Sequence, residues 1–444
     1  MRPASRSTPI RCLALAIALA AATAPLHAQD AQRSEVTEAA QRLQGRVVEW
    51  RRDIHQHPEL GNRETRTAAL VAEHLRALGL EPTTGVAHTG VTAVLKGGKP
   101  GPRLALRADM DALPVTERTD VPFRSTVTTE YRGQTTGVMH ACGHDAHVAI
   151  LMGVAEALVA MQDELPGEVL FVFQPAEEGA PDGEEGGADL MLREGMFERF
   201  RPDAVFGLHV GSGLNANQIG VRAGPIMAAS NSFRIVVNGR QAHGSRPWQS
   251  VDPIVTAAQI INAAQTIVSR NLDLIKQPAV VTFGAINGGI RQNIIPDSVE
   301  MIGTIRTFDE GMRDQIFARL TTIAEQVAAA NDASVDLQVP LPGGYPVTAN
   351  DADLVARLRP SLVAAAGREH VIDVPLTTGA EDFSFFAREV PGLFFNVGST
   401  PVGQDASQAP TNHSPLFYID EAALDLGLRA MLQVTLDYLH ESRG

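Results

Sequence analysis

Cys142 and His144 stand two residues apart in MHACGHDAH (139–147), where they offer a thiolate and an imidazole. Together these groups bind zinc and similar divalent ions. The same pair, taken alone, also describes a buried thiol beside a helix start. FQPAEEG (173–179) carries adjacent carboxylates at Glu177 and Glu178. On a turning backbone two neighbours point differently, so one can hold a metal while the other moves protons. A solvated acidic loop has the same composition, and Asp182, Glu184 and Glu185 follow closely. His209, the pair Asp109 and Asp111, and the loop Asn412-His413-Ser414-Pro415 complete the candidates. None of them defines a site alone.

Position joins them. Apolar runs at 104–108, 169–173 and 204–208 read as buried strands, and each runs into acid or His at its C-terminal end. Open α/β sheets bind ligands outside those carboxyl ends, so three such strands imply a metal site at one sheet edge. Helical periodicity at 36–56, 65–78 and 146–161 alternates with these strands. The alternation predicts an α/β domain with a mostly parallel sheet.

The middle of the chain reads differently. It predicts a strand at 232–237, a helix at 253–269 opened by Pro253, strands at 279–286 and 299–308, a helix at 310–330 and a strand at 334–339. This βαββαβ order is that of a ferredoxin-like module. Pro340-Leu341-Pro342-Gly343-Gly344 reads as the return hinge, and a strand at 393–397 and a helix at 421–441 resume the first pattern. The expected organisation is a leader at 1–28, a catalytic domain split between 29–225 and 343–444, and an inserted module at 226–342.

The chain has 444 residues and a formal net charge of −14, which argues against nucleic acid or an anionic membrane as partner. Its two cysteines cannot build a disulfide framework. Arg2, Arg6 and Arg11 precede an apolar run at 12–24, too short to span a bilayer, and Ala28 offers a small residue for cleavage. The expectation is export to the periplasm or medium, with no membrane association after cleavage. Cleavage after Ala28 removes Cys12 and leaves Cys142 as a lone thiol in an oxidising compartment. Ligation of a metal would give that thiol its reason.

The motifs together resemble the M20 metallopeptidase/amidohydrolase family, in its N-acyl-amino-acid amidohydrolase branch. That branch includes hippurate hydrolases and indole-acetyl-amino-acid hydrolases. Besides the two segments above, the matching pieces are IHQHPELG (54–61), LRADMDALPV (106–115), GLHV (207–210), GRQAHGSRP (239–247), GGIRQNIIPD (288–297), GTIRTF (303–308), GAEDFSFF (379–386) and NHSPLF (412–417). The resemblance implies Cys142, His144, Glu178, His209 and His413 as ligands of two divalent ions, Mn or Zn, with Co or Ni also suited. It implies Glu177 as general base. Many family members carry an HxD motif on the early strand; here Arg107-Ala108-Asp109-Met110-Asp111 lacks that His. Asp109 is therefore not expected to ligate, and Asp111 is expected to orient a ligand from behind. Glu381 stands either at the metal edge or at a helix start.

The inserted module is implied to be a lid and dimerisation domain. His243 would reach the active site of a partner subunit in a homodimer and stabilise the oxyanion, while Asn293 and Arg306 would hold the substrate's carbonyl and carboxylate. The implied activity is hydrolysis of the amide bond of N-acyl amino acids or related small amides by a metal-activated water. An exported dipeptidase or carboxypeptidase of the same family is the alternative. A non-catalytic amide- or peptide-binding protein of the same fold is the third reading, and the complete ligand set argues against it.

Overall fold

Val36, Ala39, Ala40, Leu43, Val47 and Ile54 recur at helical intervals, and all are buried along one side of the helix Arg11–Gln56. The computed structural model describes residues 11–441, with side chains described from residue 32 onward. The leader expected at 1–28 lies outside the residues described at that level. Arg11–Gln56 packs with His144–Ala160 and Ala422–His440. His144–Ala160 is buried almost all round, as its run of Ala, Val and Leu requires.

These helices cover one face of an eight-stranded sheet. In spatial order its strands are Thr83–Val86, Gly90–Lys96, Pro166–Gln174, Lys99–Asp109, Ala204–Asn215, Gly392–Thr400, Ile219–Val221 and Val371–Asp373. The central four are parallel, as the alternation of strands and helices predicts. The antiparallel edge pair, Thr83–Val86 and Gly90–Lys96, and the two short strands at the other edge were not expected. They are short and lack a clear period, so pairing rather than pattern defines them.

Strand alternation splits the core in two. Leu104, Leu106, Phe171, Phe173 and Phe206 face the three helices. Ala105, Leu170, Val172 and Val205 face a second layer built on Phe197, Phe383 and Phe386. Arg107, Asp109, Gln174 and His209 therefore continue this second face toward the carboxyl end. Register places Asp109 opposite Gln174, and His209 opposite Asn396.

The inserted module is a separate antiparallel sheet in the order Ala279–Asn287, Ser298–Thr307, Ala229–Asn238, Ser334–Gln338. Helices Pro253–Thr266 and Glu310–Ala330 pack on it, capped by the carboxylates of Asp252 and Asp309. The expected βαββαβ order is present. The first helix stops at Thr266 and loosens into a π turn at Ile267–Asn271, shorter than the expected 253–269. Phe233 anchors this core: its ring lies 5.0 Å from that of Phe283, and Gly303 leaves it room. Phe233→Ala should destabilise the module by about 3–5 kcal/mol, read as a lower urea midpoint. A change below about 1 kcal/mol would mean that the core does not depend on this ring.

Candidate metal centre

Gly143 has φ +94° and caps the helix that His144 begins. A Cβ at Gly143 would lie 2.3 Å from Val210 Cγ2, so only glycine fits. The turn lets Cys142 and His144 converge. Cys142 Sγ lies 3.3 Å from His209 Nε2. His209 Nδ1–H donates to the Val210 carbonyl at 2.7 Å, which leaves Nε2 free as a lone pair toward the thiol. His413 Nε2 lies 2.9 Å from Glu178 Oε1. Cys142, His144 and His209 form one group of ligand atoms within metal-binding reach, and Cys142, Glu178 and His413 form a second. The two groups share the thiol. All five expected ligands are thus brought together from four separate segments.

The turn bearing Glu177 and Glu178 is held from below. Asp111 Oδ1 accepts the Glu177 N–H at 3.0 Å, and Oδ2 accepts the Glu178 N–H at 2.9 Å. Asp111 Oδ1 also lies 3.3 Å from His144 Nδ1, turning His144 Nε2 toward the cluster. Ala176, at φ +51°, gives the turn its sharpness, and its N–H donates to buried Glu64 at 2.8 Å. His413 is itself at φ +71°. Such strained positions persist where surrounding contacts over-determine them, and they gather at functional sites.

Asp109 is not among the five ligands and has another task. Its Oδ1 accepts from His147 Nδ1–H at 2.5 Å, while His147 Nε2 accepts the Val210 N–H at 2.8 Å. Its Oδ2 binds the Arg107 guanidinium at 2.8 Å. Arg107 is fully buried and also binds Glu381 at 2.8 Å, Asp382 at 2.9 Å and Gln174 at 2.8 Å. Glu381 therefore answers Arg107 beneath the site. Sequence reasoning missed Arg107 and His147 as parts of the site. Their signal was present: a charged residue inside an otherwise apolar strand must be paired once buried. IHQHPELG and the helix turn before it contribute likewise. Arg51 and His55 both bind Asp145 at 2.8 Å, fixing the start of the helix that carries His144.

Charge is crowded here. Burial, then Glu381, Glu178 and Asp382, push the Glu177 carboxyl well above its usual range, against the pull of His144. Burial, then Glu178, push the Cys142 thiol up. Burial and the neighbouring His147 hold His209 neutral, well below the usual imidazole range. Burial opposes a charge on His144, but Asp109 and contacts with Asp111 and Cys142 outweigh it. Both His144 nitrogens and Glu178 Oε1 are buried, and they face charged groups, Asp111 beside His144 and His413 beside Glu178. Crowded donors of mixed S, N and O type, surrounded by excess carboxylate, fit divalent transition ions.

The cluster forms one wall of a cavity of about 560 Å³, which Glu177 also lines. His243, Asn293 and Arg306 do not line it. His243 is exposed on the inserted module, its Nδ1 accepting from Ser245. Asn293 lies beside it, its carbonyl accepting the Gly244 N–H at 2.9 Å, with its own buried Oδ1 unpaired among the described residues. Arg306 is half-buried and donates only to Thr304 and the Ile305 carbonyl among the described residues.

The sequence profile described as Peptidase family M20/M25/M40 matches residues 105–437. Thermostable carboxypeptidase 2 of Saccharolobus solfataricus is 40% identical over 385 residues, covering 86% of this chain and 93% of that protein. N-acetyl-L-cysteine deacetylase of Bacillus subtilis is 38% identical, covering 86% and 85% respectively. A Bacillus subtilis structure described as a dinuclear metal binding peptidase from the M20 family superposes with a TM-score of 0.73 at 33% identity, covering 90% of this chain and 99% of that one.

Removing the carboxylate behind the ligands tests their positioning. Asp111→Ala should weaken metal binding about 10–100-fold in chelator competition while the fold persists. Unchanged affinity would show that Glu178 and His144 are oriented without it.

Proposed function

The chain belongs to peptidase family M20/M25/M40, and on that premise we propose that it hydrolyses the amide bond of N-acyl amino acids or related small amides with the help of two divalent ions. The observation that carries this reading is the convergence of five candidate ligand side chains, four of which (Cys142, Glu178, His209 and His413) line one substrate-sized cavity together with Glu177. Cys142, His144, Glu178, His209 and His413 would hold the ions. When bound, such ions polarise a carbonyl and make water acidic enough to attack near neutral pH.

The chain's own residues do the rest. Glu177 faces the cavity with its Oε2 3.9 Å from His144 Nε2, while Oε1 accepts the Asp382 N–H at 3.4 Å. Burial and acidic neighbours make its carboxylate a ready proton acceptor. It takes the proton of the attacking water and delivers it to the departing amine. Arg306 has no carboxylate partner among the described residues, and burial lowers its pKa. A substrate carboxylate would relieve it.

The relative named a carboxypeptidase supports a second reading, in which the same centre removes the C-terminal residue of short peptides. A panel of N-acyl amino acids and dipeptides assayed with Mn, Zn and Co separates the two. The identity of the ions belongs to the same assay.

We also read the protein as an exported homodimer joined through the lid. Export rests on the basic-then-apolar layout of the first 28 residues. No helix among the described residues is long and apolar enough to cross a membrane. The dimer reading rests on His243, exposed and outside the cavity of its own chain.

Glu177→Gln should lower kcat by at least about 10²-fold, with metal content unchanged by elemental analysis. Near-normal turnover would end its role as base. Mixing inactive Glu177→Ala and His243→Ala subunits should recover activity in heterodimers. No recovery would confine His243 to its own chain or leave it without a role.

A further inference from the structure

The five candidate ligands arrive on four segments: the turn of Cys142 and His144, the turn of Glu178, the strand of His209 and the loop of His413. Asp111 holds the Glu178 turn and faces His144 Nδ1. Cys142, His209 and His413 need a different tie, because they lie on segments far apart in sequence. The side chain of Asn412 spans all three.

Its Nδ2 donates to the Cys142 carbonyl at 3.1 Å and to the Val210 carbonyl at 3.0 Å. The same nitrogen lies 3.8 Å from Cys142 Sγ, within reach of a sulfur acceptor. Its Oδ1 accepts the Ser212 N–H at 3.3 Å. Two carbonyls on one side and an N–H on the other match donors to acceptors in one orientation of the amide. An asparagine serving only its own turn would bond within that turn. These bonds instead reach residues 200, 202 and 270 positions away in sequence.

One of the acceptors has a second duty. The Val210 carbonyl also receives His209 Nδ1–H at 2.7 Å, and that bond turns the His209 Nε2 lone pair toward the thiol. Asn412 thus fixes the group that fixes His209. In its own loop it precedes His413, whose backbone stands at φ +71° and whose N–H donates to the Ala141 carbonyl at 2.8 Å. The loop is therefore stitched to the Cys142 turn twice, once through the His413 backbone and once through the Asn412 side chain.

We propose that Asn412 is a positioning residue of the metal centre: its carboxamide holds Cys142, His209 and His413 in register and directs an N–H toward the thiol common to both ligand groups. This rests on the metal-dependent reading above and deepens it. A hydrogen-bond donor beside a ligating sulfur draws electron density from it and so tunes the bond to a metal. The residue lines the cavity, so its test must separate holding the ligands from touching the substrate.

The test uses the full chain, stripped of metal and reloaded with cobalt(II). Asn412→Ala and Asn412→Leu should each lower cobalt affinity about 10–100-fold in chelator competition, and at saturation each should shift the thiolate-to-cobalt absorption band. On an N-acyl amino acid, kcat should fall about tenfold or more while KM stays within about twofold. Asn412→Ser keeps one hydroxyl donor and should fall between wild type and alanine in affinity. Leucine keeps the approximate volume of asparagine without its hydrogen bonds, so recovery by leucine of what alanine loses would reduce Asn412 to packing and overturn the proposal. A raised KM with kcat, band and affinity unchanged would make it a substrate contact instead. A lower melting temperature of the metal-free variants, with the band and affinity of the wild type, would make it a tie of the fold alone. Either result overturns the positioning role while leaving the metal centre intact. A wild-type chain that takes up no cobalt overturns the metal-dependent reading, and this inference with it.

Discussion

The structure is organised around buried negative charge. Asp109, Asp111, Glu177, Glu381 and Asp382 lie together out of solvent, with Glu178 and the Cys142 thiol at their edge. Arg107 is the buried guanidinium among them, bonded to three of the carboxylates. Carboxylates removed from water without partners cost several kcal/mol each. One arginine cannot balance the whole group. Without further cations the site must hold protons, and burial accordingly raises Glu177 and Asp382 well above the ordinary carboxylate range. Divalent ions, held as proposed by the thiol, the imidazoles and Glu178, would supply the missing positive charge.

The fold holds this balance rigidly. Strand alternation puts Arg107, Asp109, Gln174 and His209 on one face, so the charge lies at the carboxyl edge of a packed sheet. The hinge is tied to the same place. Ser230 and Tyr345, one on each connection to the inserted module, pair through both backbone hydrogen bonds, at 2.9 and 2.8 Å. Tyr345 O–H donates to the Glu177 carbonyl at 2.6 Å. The junction of the two modules and the turn carrying Glu177 are thus joined by hydrogen bonds through Tyr345.

Much of this was legible in the chain before any coordinates. Buried strands ending in acid or His, and the βαββαβ order, follow from local periodicity, which needs no partner to be read. The five candidate ligands were legible through the family resemblance, and the structure brings them together. What escaped were residues defined by their partners. Arg107 reads as an oddity until Asp109 on its own strand and Glu381 and Asp382 from a distant segment surround it. His147 sits inside a recognised motif, yet only the Val210 N–H on a separate strand shows which tautomer it holds. The short edge strands escaped because their pattern is set by the strand beside them. His243, Asn293 and Arg306 do not line the cavity; a motif names such residues without placing them relative to one another.

Stepwise addition of cobalt(II) to the metal-free full chain, followed by thiolate-to-cobalt charge-transfer absorption and by proton release, tests the charge balance directly. The account predicts saturation at two ions per chain, release of protons as the acid-rich site gives them up, and loss of the absorption band in Cys142→Ser. Saturation at one ion with full activity, or binding with neither a thiolate band nor proton release, would contradict it.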